Sequence, residues 1–125
     1  MRYMTIVKSN ENVARTNPPP PAVFEAVEKW LAESAKSGKL VSFGGLHPTQ
    51  SGARVRLEDG KITTVDGPFA ESKEVIGGFS ILEYASLNEA IEEAVKFMEL
   101  HRELWPGWEG ETEIRQMFAE GDSPS

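Results

Sequence analysis

The sequence contains no cysteine, which excludes disulfide bonds, thiolate nucleophiles, iron–sulfur clusters and cysteine-based zinc sites. Such a chain is compatible with a reducing compartment. The residues after Met1 also lack a signal-peptide pattern, because the first apolar run is short and no small-residue cleavage site follows it. From these absences we expect a cytoplasmic protein.

Long apolar runs and clusters of basic residues are absent as well. No stretch approaches the roughly 18 apolar residues that a membrane helix requires. None of the 13 Lys and Arg residues belongs to a run, and the net charge at pH 7 is −7. Because phosphate recognition depends on clustered positive charge, we expect neither nucleic acid nor a membrane as a partner.

The sequence has few groups that could hold a metal or a cofactor. Its two histidines are far apart and make no metal-ligand spacing. The sequence contains no glycine-rich phosphate loop, no nucleophile elbow and no dinucleotide-binding fingerprint. We therefore predict no metal and no cofactor.

What the sequence does contain is the pattern of one small α+β domain. A chain of 125 residues with 39% hydrophobic residues can bury a single core. We assign this domain to residues 1–119 and a polar tail to residues 120–125. The predicted order is β-α-β-ββ-β-α-β, with strands at residues 3–8, 40–46, 53–57, 61–65, 78–84 and 112–118.

Two amphipathic helices separate the strands. Apolar residues at helical spacing predict the first helix over residues 22–37, and Gly38 ends it. The second helix begins at the capping box of Ser86 and Glu89. The stretch that begins at residue 9 and leads to the prolines at 18–21 is predicted to be a loop.

Glycines give further signals within the strands. Gly44 and Gly45 indicate either a bulge in the second strand or the close approach of another backbone. Asp59-Gly60 predicts a two-residue hairpin turn. The strict alternation over residues 53–57, just before this turn, predicts a half-buried strand.

The first strand is apolar on both faces. Tyr3 and Val7 point to one face, while Met4 and Ile6 point to the other. Two helices can cover one face of an antiparallel sheet, so we expect a second copy of the chain to cover the other. The alternative is a difference in burial between edge and central strands, without a dimer.

Residues 66–74, with the sequence DGPFAESKE, and the following Gly77-Gly78 resemble the motif that names the DGPF group of the YCII-related family. Residues 46–48 and 52–56 are similar to the segments that lead to this motif, and the resemblance extends from Met1 to about Phe118. It implies a ferredoxin-like split βαβ fold with two helices on one face of an antiparallel sheet. It also implies that two copies join through their sheets into a dimeric α+β barrel.

The resemblance implies two functions. One family member resembles a dehydrochlorinase of chlorinated hydroxyquinols, which implies lyase-type proton transfer or elimination on a small cyclic or aromatic substrate. The family is also associated with a proposed His–Asp pair in a cleft. DGPF members often occur near sigma factors of the extracytoplasmic-function class, which implies instead a non-catalytic small-molecule-binding or regulatory module. The helix predicted over residues 22–37 has no histidine, where YCII enzymes carry their candidate base.

His47 and Asp66 are the candidate catalytic residues. His47 follows a predicted strand and precedes Pro48, and an imidazole can act as a general base near neutral pH. The alternative is a ring that bonds to a neighbouring loop. Asp66 could orient this ring or take a proton itself, or it could accept backbone N–H groups within its own turn.

Arg54 and Arg56 are candidate substrate-binding residues. They lie two apart on a predicted strand and therefore share a face, where two guanidinium groups could hold a carboxylate or a phenolate. The alternative is that they pair with Glu71 and Glu74 as charge compensation.

The DGPF loop supplies the remaining candidates for substrate binding. Phe69 could form a hydrophobic plug or one wall of a pocket. Glu71, Lys73 and Glu74 could form the rim of a cleft or a solvated loop face.

His101 and the two tryptophans after it can be explained by structural roles, without a part in catalysis. We expect His101 to follow the second long helix, where the helix dipole favours a cation. Trp105 and Trp108 could stack on a ligand or anchor their loop against the body of the domain.

Overall fold

The computed structural model describes residues 1–69 and 74–122, apart from the side chain of Ala14. The three helices are α1 (Glu11–Thr16), α2 (Pro21–Lys36) and α3 (Leu87–Leu104). The six strands are β1 (Arg2–Ser9), β2 (Leu40–Gly45), β3 (Ala53–Glu58), β4 (Lys61–Asp66), β5 (Val75–Glu83) and β6 (Gly110–Gln116). A turn of 3-10 helix at Thr49–Ser51 precedes β3.

Four strands form one antiparallel sheet in the order β2-β5-β1-β6. The units β1-α2-β2 and β5-α3-β6 are the two halves of a split βαβ arrangement. The prediction of a ferredoxin-like α+β fold is therefore confirmed. Strands β3 and β4 form a separate hairpin, which is inserted between the two halves.

Helix α1 lies where the sequence predicted a loop, so that prediction is wrong. The side chain of Asn10 accepts hydrogen bonds from the backbone N–H groups of Asn12 and Val13, at 2.9 and 3.4 Å. This cap starts the helix without the amphipathic stripe that marks a long one. The sequence signal for this helix is therefore its N-terminal cap, Asn10. A prediction that relies on the periodicity of apolar residues does not detect such a signal.

The capping box predicted for α3 is present, with one difference. Ser86 Oγ accepts a hydrogen bond from the Glu89 N–H at 3.2 Å. The Glu89 carboxylate reaches back to the N–H of Ala85, also at 3.2 Å, instead of that of Ser86. Both bonds satisfy N–H groups that the first helical turn leaves without a partner.

Of the two alternatives predicted for Gly44-Gly45, the bulge is wrong and the close approach of another backbone is confirmed. The register shifts occur elsewhere, between Val7 and Lys8 of β1 and between Leu40 and Ser42 of β2. A close approach does occur at the glycines. A Cβ atom on Gly44 would lie 2.9 Å from the ring of Phe79, and one on Gly78 would lie 3.2 Å from the carbonyl oxygen of Gly44.

The core lies between the sheet and the two long helices. Its buried residues are Tyr3, Leu82, Tyr84 and Ala90, and Trp30, Leu40 and Ile114 pack against them. Thr5 and Ser80 are also buried on this face, and their hydroxyl oxygens lie 2.5 Å apart. Each hydroxyl therefore satisfies the other inside the core.

An aromatic cluster packs around the C-terminal end of α3. His101 was expected to follow this helix, where the helix dipole favours a cation, but it lies inside the last turn and its side chain is buried. Its Nδ1 donates to the Phe97 carbonyl at 2.9 Å, and its ring centroid lies 4.8 Å from that of Trp108. Trp105 Nε1 donates to the Asn17 carbonyl at 3.1 Å, so the prediction that a tryptophan anchors this loop is confirmed.

The hairpin β3–β4 extends away from this core. The strand predicted over residues 53–57 is present as Ala53–Glu58, but the prediction that it is half-buried is wrong for the single chain, because the hairpin does not pack on the helix-covered sheet. Val55, Leu57 and Ile62 share one face of the hairpin and are 69%, 71% and 73% exposed. In the part of the chain that the structure describes, no helix has both the length and the apolar character needed to cross a membrane.

Candidate functional site

A surface groove with a volume of about 450 Å³ lies beside the DGPF loop. The loop after β2, the beginning of β3 and the beginning of β5 form its walls. Four of the predicted site residues line it: His47, Arg54, Phe69 and Glu74. Apolar side chains of Leu46, Val75 and Ile76 complete its surface.

Thr49 holds the DGPF loop against the rest of the groove. The Phe69 N–H donates to Thr49 Oγ1 at 3.1 Å, and the Gly67 N–H donates to the Gly52 carbonyl at 2.9 Å. Thr49 is held in turn by Glu11 of α1, whose carboxylate accepts from the Thr49 N–H at 3.0 Å and from the Thr49 hydroxyl. A chain of hydrogen bonds therefore connects α1 to the wall of the groove.

Glycine is required at position 67 by the backbone of this turn. A Cβ atom there would lie 1.7 Å from the Thr49 carbonyl oxygen, well inside van der Waals contact. The peptide bond that joins Gly67 to Pro68 is cis. The Thr49 backbone thus leaves no room for a Cβ atom, which explains why the motif has glycine at this position.

Arg54 stacks on the aromatic wall of the groove. Its guanidinium carbon lies 3.8 Å from the ring centroid of Phe69, and both side chains are half-buried. This cation–π contact occupies the face of the guanidinium, while its N–H groups lie around the edge. Arg56 is exposed two residues further along β3 and does not line the groove.

His47 is an exposed residue between β2 and the 3-10 turn, and it lines the groove beside Pro48. Asp66 is exposed at the end of β4, where it lies opposite Ala53 in the hairpin. It is not among the residues that line the groove. The groove thus includes His47 without Asp66.

Glu71 and Lys73, also predicted to bind substrate, lie outside the described residues. Among the residues that are described, no three His, Asp or Glu side chains are grouped closely enough to hold a metal ion.

Sequence reasoning missed Thr49 and Glu11, on which the groove depends. They are 38 positions apart, and the segment that contains Glu11 was predicted to be a loop. The available signal was Asn10 as a helix cap followed by an acidic residue in the first turn.

Hydrogen bonds from Thr49 lower the pKa of Glu11, the side-chain bond more than the backbone one. Burial acts in the opposite direction, and Arg15 adds a smaller lowering effect. The carboxylate is therefore the form that holds the loop.

Comparison with known proteins gives a family match and one relative. Residues 1–97 match the family model of the YCII-related domain. An uncharacterised protein of Rhizobium meliloti (strain 1021) is 42% identical over 69 residues, which are 55% of this chain and 53% of that protein. The chain thus spans about half the length of this relative.

Replacing Gly67 with Ala tests the steric requirement of the turn. The added methyl group has to displace the Thr49 backbone, so we expect a loss of about 1–3 kcal/mol in the free energy of unfolding. Urea denaturation measures this loss. Gly52→Ala is the matched control, because its Cβ atom would lie at an ordinary 3.5 Å from the same carbonyl oxygen. Equal stability of the two variants would contradict the steric argument.

Glu11→Gln tests the ionised link between α1 and Thr49. Because the pKa of Glu11 is lowered in the folded chain, its stabilising effect is fully present above the unfolded pKa of about 4.3 and is lost as the pH falls through the folded value. We expect Glu11→Gln to cost about 1 kcal/mol at neutral pH and progressively less below about pH 4.3. Urea denaturation across pH, with exposed Glu25→Gln as control, measures the difference. A loss in the free energy of unfolding that does not change with pH would contradict this explanation.

Proposed function

Because the chain belongs to the YCII-related domain family, we propose that it is a homodimeric, cofactor-independent protein that binds a small anionic cyclic or aromatic molecule in the groove. We further propose that His47 transfers a proton to or from the bound molecule. The supporting observation is that His47, Arg54 and Phe69 line the same groove.

The chemistry of these three side chains suits such a ligand. A guanidinium that is stacked on a ring keeps a fixed plane, from which its N–H edge can bind a carboxylate or a phenolate. Phe69 and the apolar residues of β5 offer contacts to a ring. An imidazole at the rim can accept a proton at neutral pH.

These roles are sufficient for a simple elimination without a cofactor. A chlorinated hydroxyquinol must first tautomerise, so that one hydroxyl proton moves to the ring carbon that carries the chlorine, and His47 would transfer this proton. His47 would then accept the proton of a second hydroxyl group, while chloride leaves that carbon with its bonding electron pair. The net loss of HCl gives a hydroxyquinone. Arg54 would hold the anionic oxygen of the substrate during this step.

Two uncovered apolar surfaces support the homodimer. Met4 and Ile6 lie on the face of the sheet opposite the helices. Val55, Leu57 and Ile62 form the exposed apolar face of the hairpin. A two-stranded hairpin alone is marginally stable in water, and a symmetric dimer can cover both surfaces with copies of one chain.

Introducing charged residues on the apolar face of the hairpin tests whether the chain forms the proposed dimer. We expect the double variant Leu57→Lys and Ile62→Lys to weaken self-association at least roughly tenfold, because it would bury charge in an apolar contact. Sedimentation equilibrium of the full chain measures the dissociation constant. Thr63→Lys is the control, since Thr63 lies on the opposite face of β4. A wild-type chain that stays monomeric at high concentration would refute the dimer.

Arg54 and Arg56 form a matched pair for testing the ligand. With benzoate as the probe, we expect Arg54→Gln to weaken binding roughly tenfold or more, because a charged hydrogen bond is lost. Arg56→Gln should bind benzoate as the wild type does, since Arg56 does not line the groove. Titration followed by NMR chemical shifts measures both affinities.

His47→Gln separates catalysis from binding in the same experiment. We expect it to keep its benzoate affinity but to lose roughly a hundredfold in the rate of chloride release from a chlorinated hydroxyquinol. Binding of benzoate without any chloride release by the wild type would identify a binding module. Equal effects of Arg54→Gln and Arg56→Gln would contradict the groove as the binding site.

A further inference from the structure

Thr49 lines the groove, but its polar groups are engaged by the protein itself. Its N–H and its hydroxyl both donate to the Glu11 carboxylate, and the hydroxyl oxygen accepts from the Phe69 N–H. Its carbonyl accepts from the Gly52 N–H at 2.9 Å. A hydroxyl has one proton to donate, and that of Thr49 is used on Glu11. Thr49 therefore serves the groove by holding other residues.

These bonds connect α1 with the DGPF loop. Glu11 belongs to α1 and is not among the residues that line the groove, whereas Phe69 forms part of its wall. Glu11, Thr49 and Phe69 are all half-buried, where a hydrogen bond is partly shielded from competing water. Thr49 is thus the point at which a helix outside the groove reaches its aromatic wall.

Phe69 passes this constraint on to Arg54. The loop backbone is held by two bonds, from the Gly67 N–H to the Gly52 carbonyl and from the Phe69 N–H to Thr49 Oγ1. Of these two bonds, the second depends on a side chain. The Phe69 ring lies 3.8 Å from the Arg54 guanidinium carbon, measured to the ring centroid. Loss of the Thr49 hydroxyl would leave the Phe69 N–H without this acceptor and let the ring move away from the guanidinium.

The position of the Arg54 guanidinium affects its affinity for an anion. A long, flexible side chain loses rotamer freedom when it binds a ligand, and this loss opposes binding. An arginine that is already stacked on a ring has lost part of this freedom before the anion arrives. Residues that keep the ring in place therefore strengthen binding without contact to the ligand.

Glu11 suits this role because a carboxylate accepts both hydrogen bonds from Thr49. An amide at the same position has one acceptor oxygen, and its NH₂ group would face the second donor of Thr49. Hydrogen bonds to an ionised group are also stronger than those between neutral groups. The charge of Glu11 thus makes the connection between α1 and Thr49 firm.

We propose that Glu11 and Thr49 are positioning residues of the groove. Through the Phe69 backbone they hold the aromatic ring against the Arg54 guanidinium and thereby raise the affinity for an anionic ligand. This inference rests on the proposed function for the charge of the ligand. It extends the site to α1, none of whose described residues lines the groove.

Removal of the Thr49 hydroxyl tests this proposal, with benzoate as the probe. Thr49→Val keeps the shape of the side chain, and we expect it to weaken benzoate binding roughly three- to tenfold. Thr49→Ser keeps the hydroxyl and should bind benzoate as the wild type does. Ser51→Ala is the matched control, because Ser51 is exposed and lines the same groove. Titration followed by NMR chemical shifts measures the affinities.

A double-mutant cycle separates positioning from a general loss of structure. If Thr49 acts through Arg54, Thr49→Val should change benzoate affinity by less than about twofold in a chain that already carries Arg54→Gln. Glu11→Gln should show the same dependence on Arg54, and it carries the test if Thr49→Val does not fold. An equal loss of affinity with and without Arg54 would overturn the proposal.

A measurement on the unliganded chain separates failure of this proposal from failure of the proposed function. The ring current of Phe69 shifts the NMR signals of the Arg54 Cδ protons upfield while the guanidinium stacks on the ring. We expect Thr49→Val and Glu11→Gln to reduce this shift and Ser51→Ala to leave it unchanged. An unchanged shift in the first two variants would overturn the positioning role. A reduced shift in a chain that does not bind benzoate would support that role and refute the anionic ligand of the proposed function.

Discussion

The register between β1 and β5 is the constraint on which the other features depend. Both strands have a neighbour on each side, so every strand of the main sheet pairs with one of them. The register places Thr5 opposite Ser80 and Val7 opposite Gly78. Because side chains alternate between the two faces, a slip of one residue would turn the core side chains away from the helices.

The inserted hairpin depends on a different kind of interaction. The two halves of the fold are joined by backbone pairing in the sheet and by apolar packing. The segments around the insertion are held instead by hydrogen bonds that Thr49 donates to Glu11 and that the Phe69 N–H donates to Thr49. The hydrogen bonds between Thr49 and Glu11 favour the ionised carboxylate, whose pKa they lower.

Local patterns predicted much of the fold. The Asp59-Gly60 pair predicted the β3–β4 hairpin, because a two-residue turn of this type needs positive φ at both positions. The observed φ values are 51° and 75°. The family motif and nearby residues predicted four members of the groove. Contacts between distant parts of the chain could not be predicted. Nothing in the sequence around Thr49 indicates that it contacts Glu11. The buried position of His101 results from aromatic packing and not from helix capping.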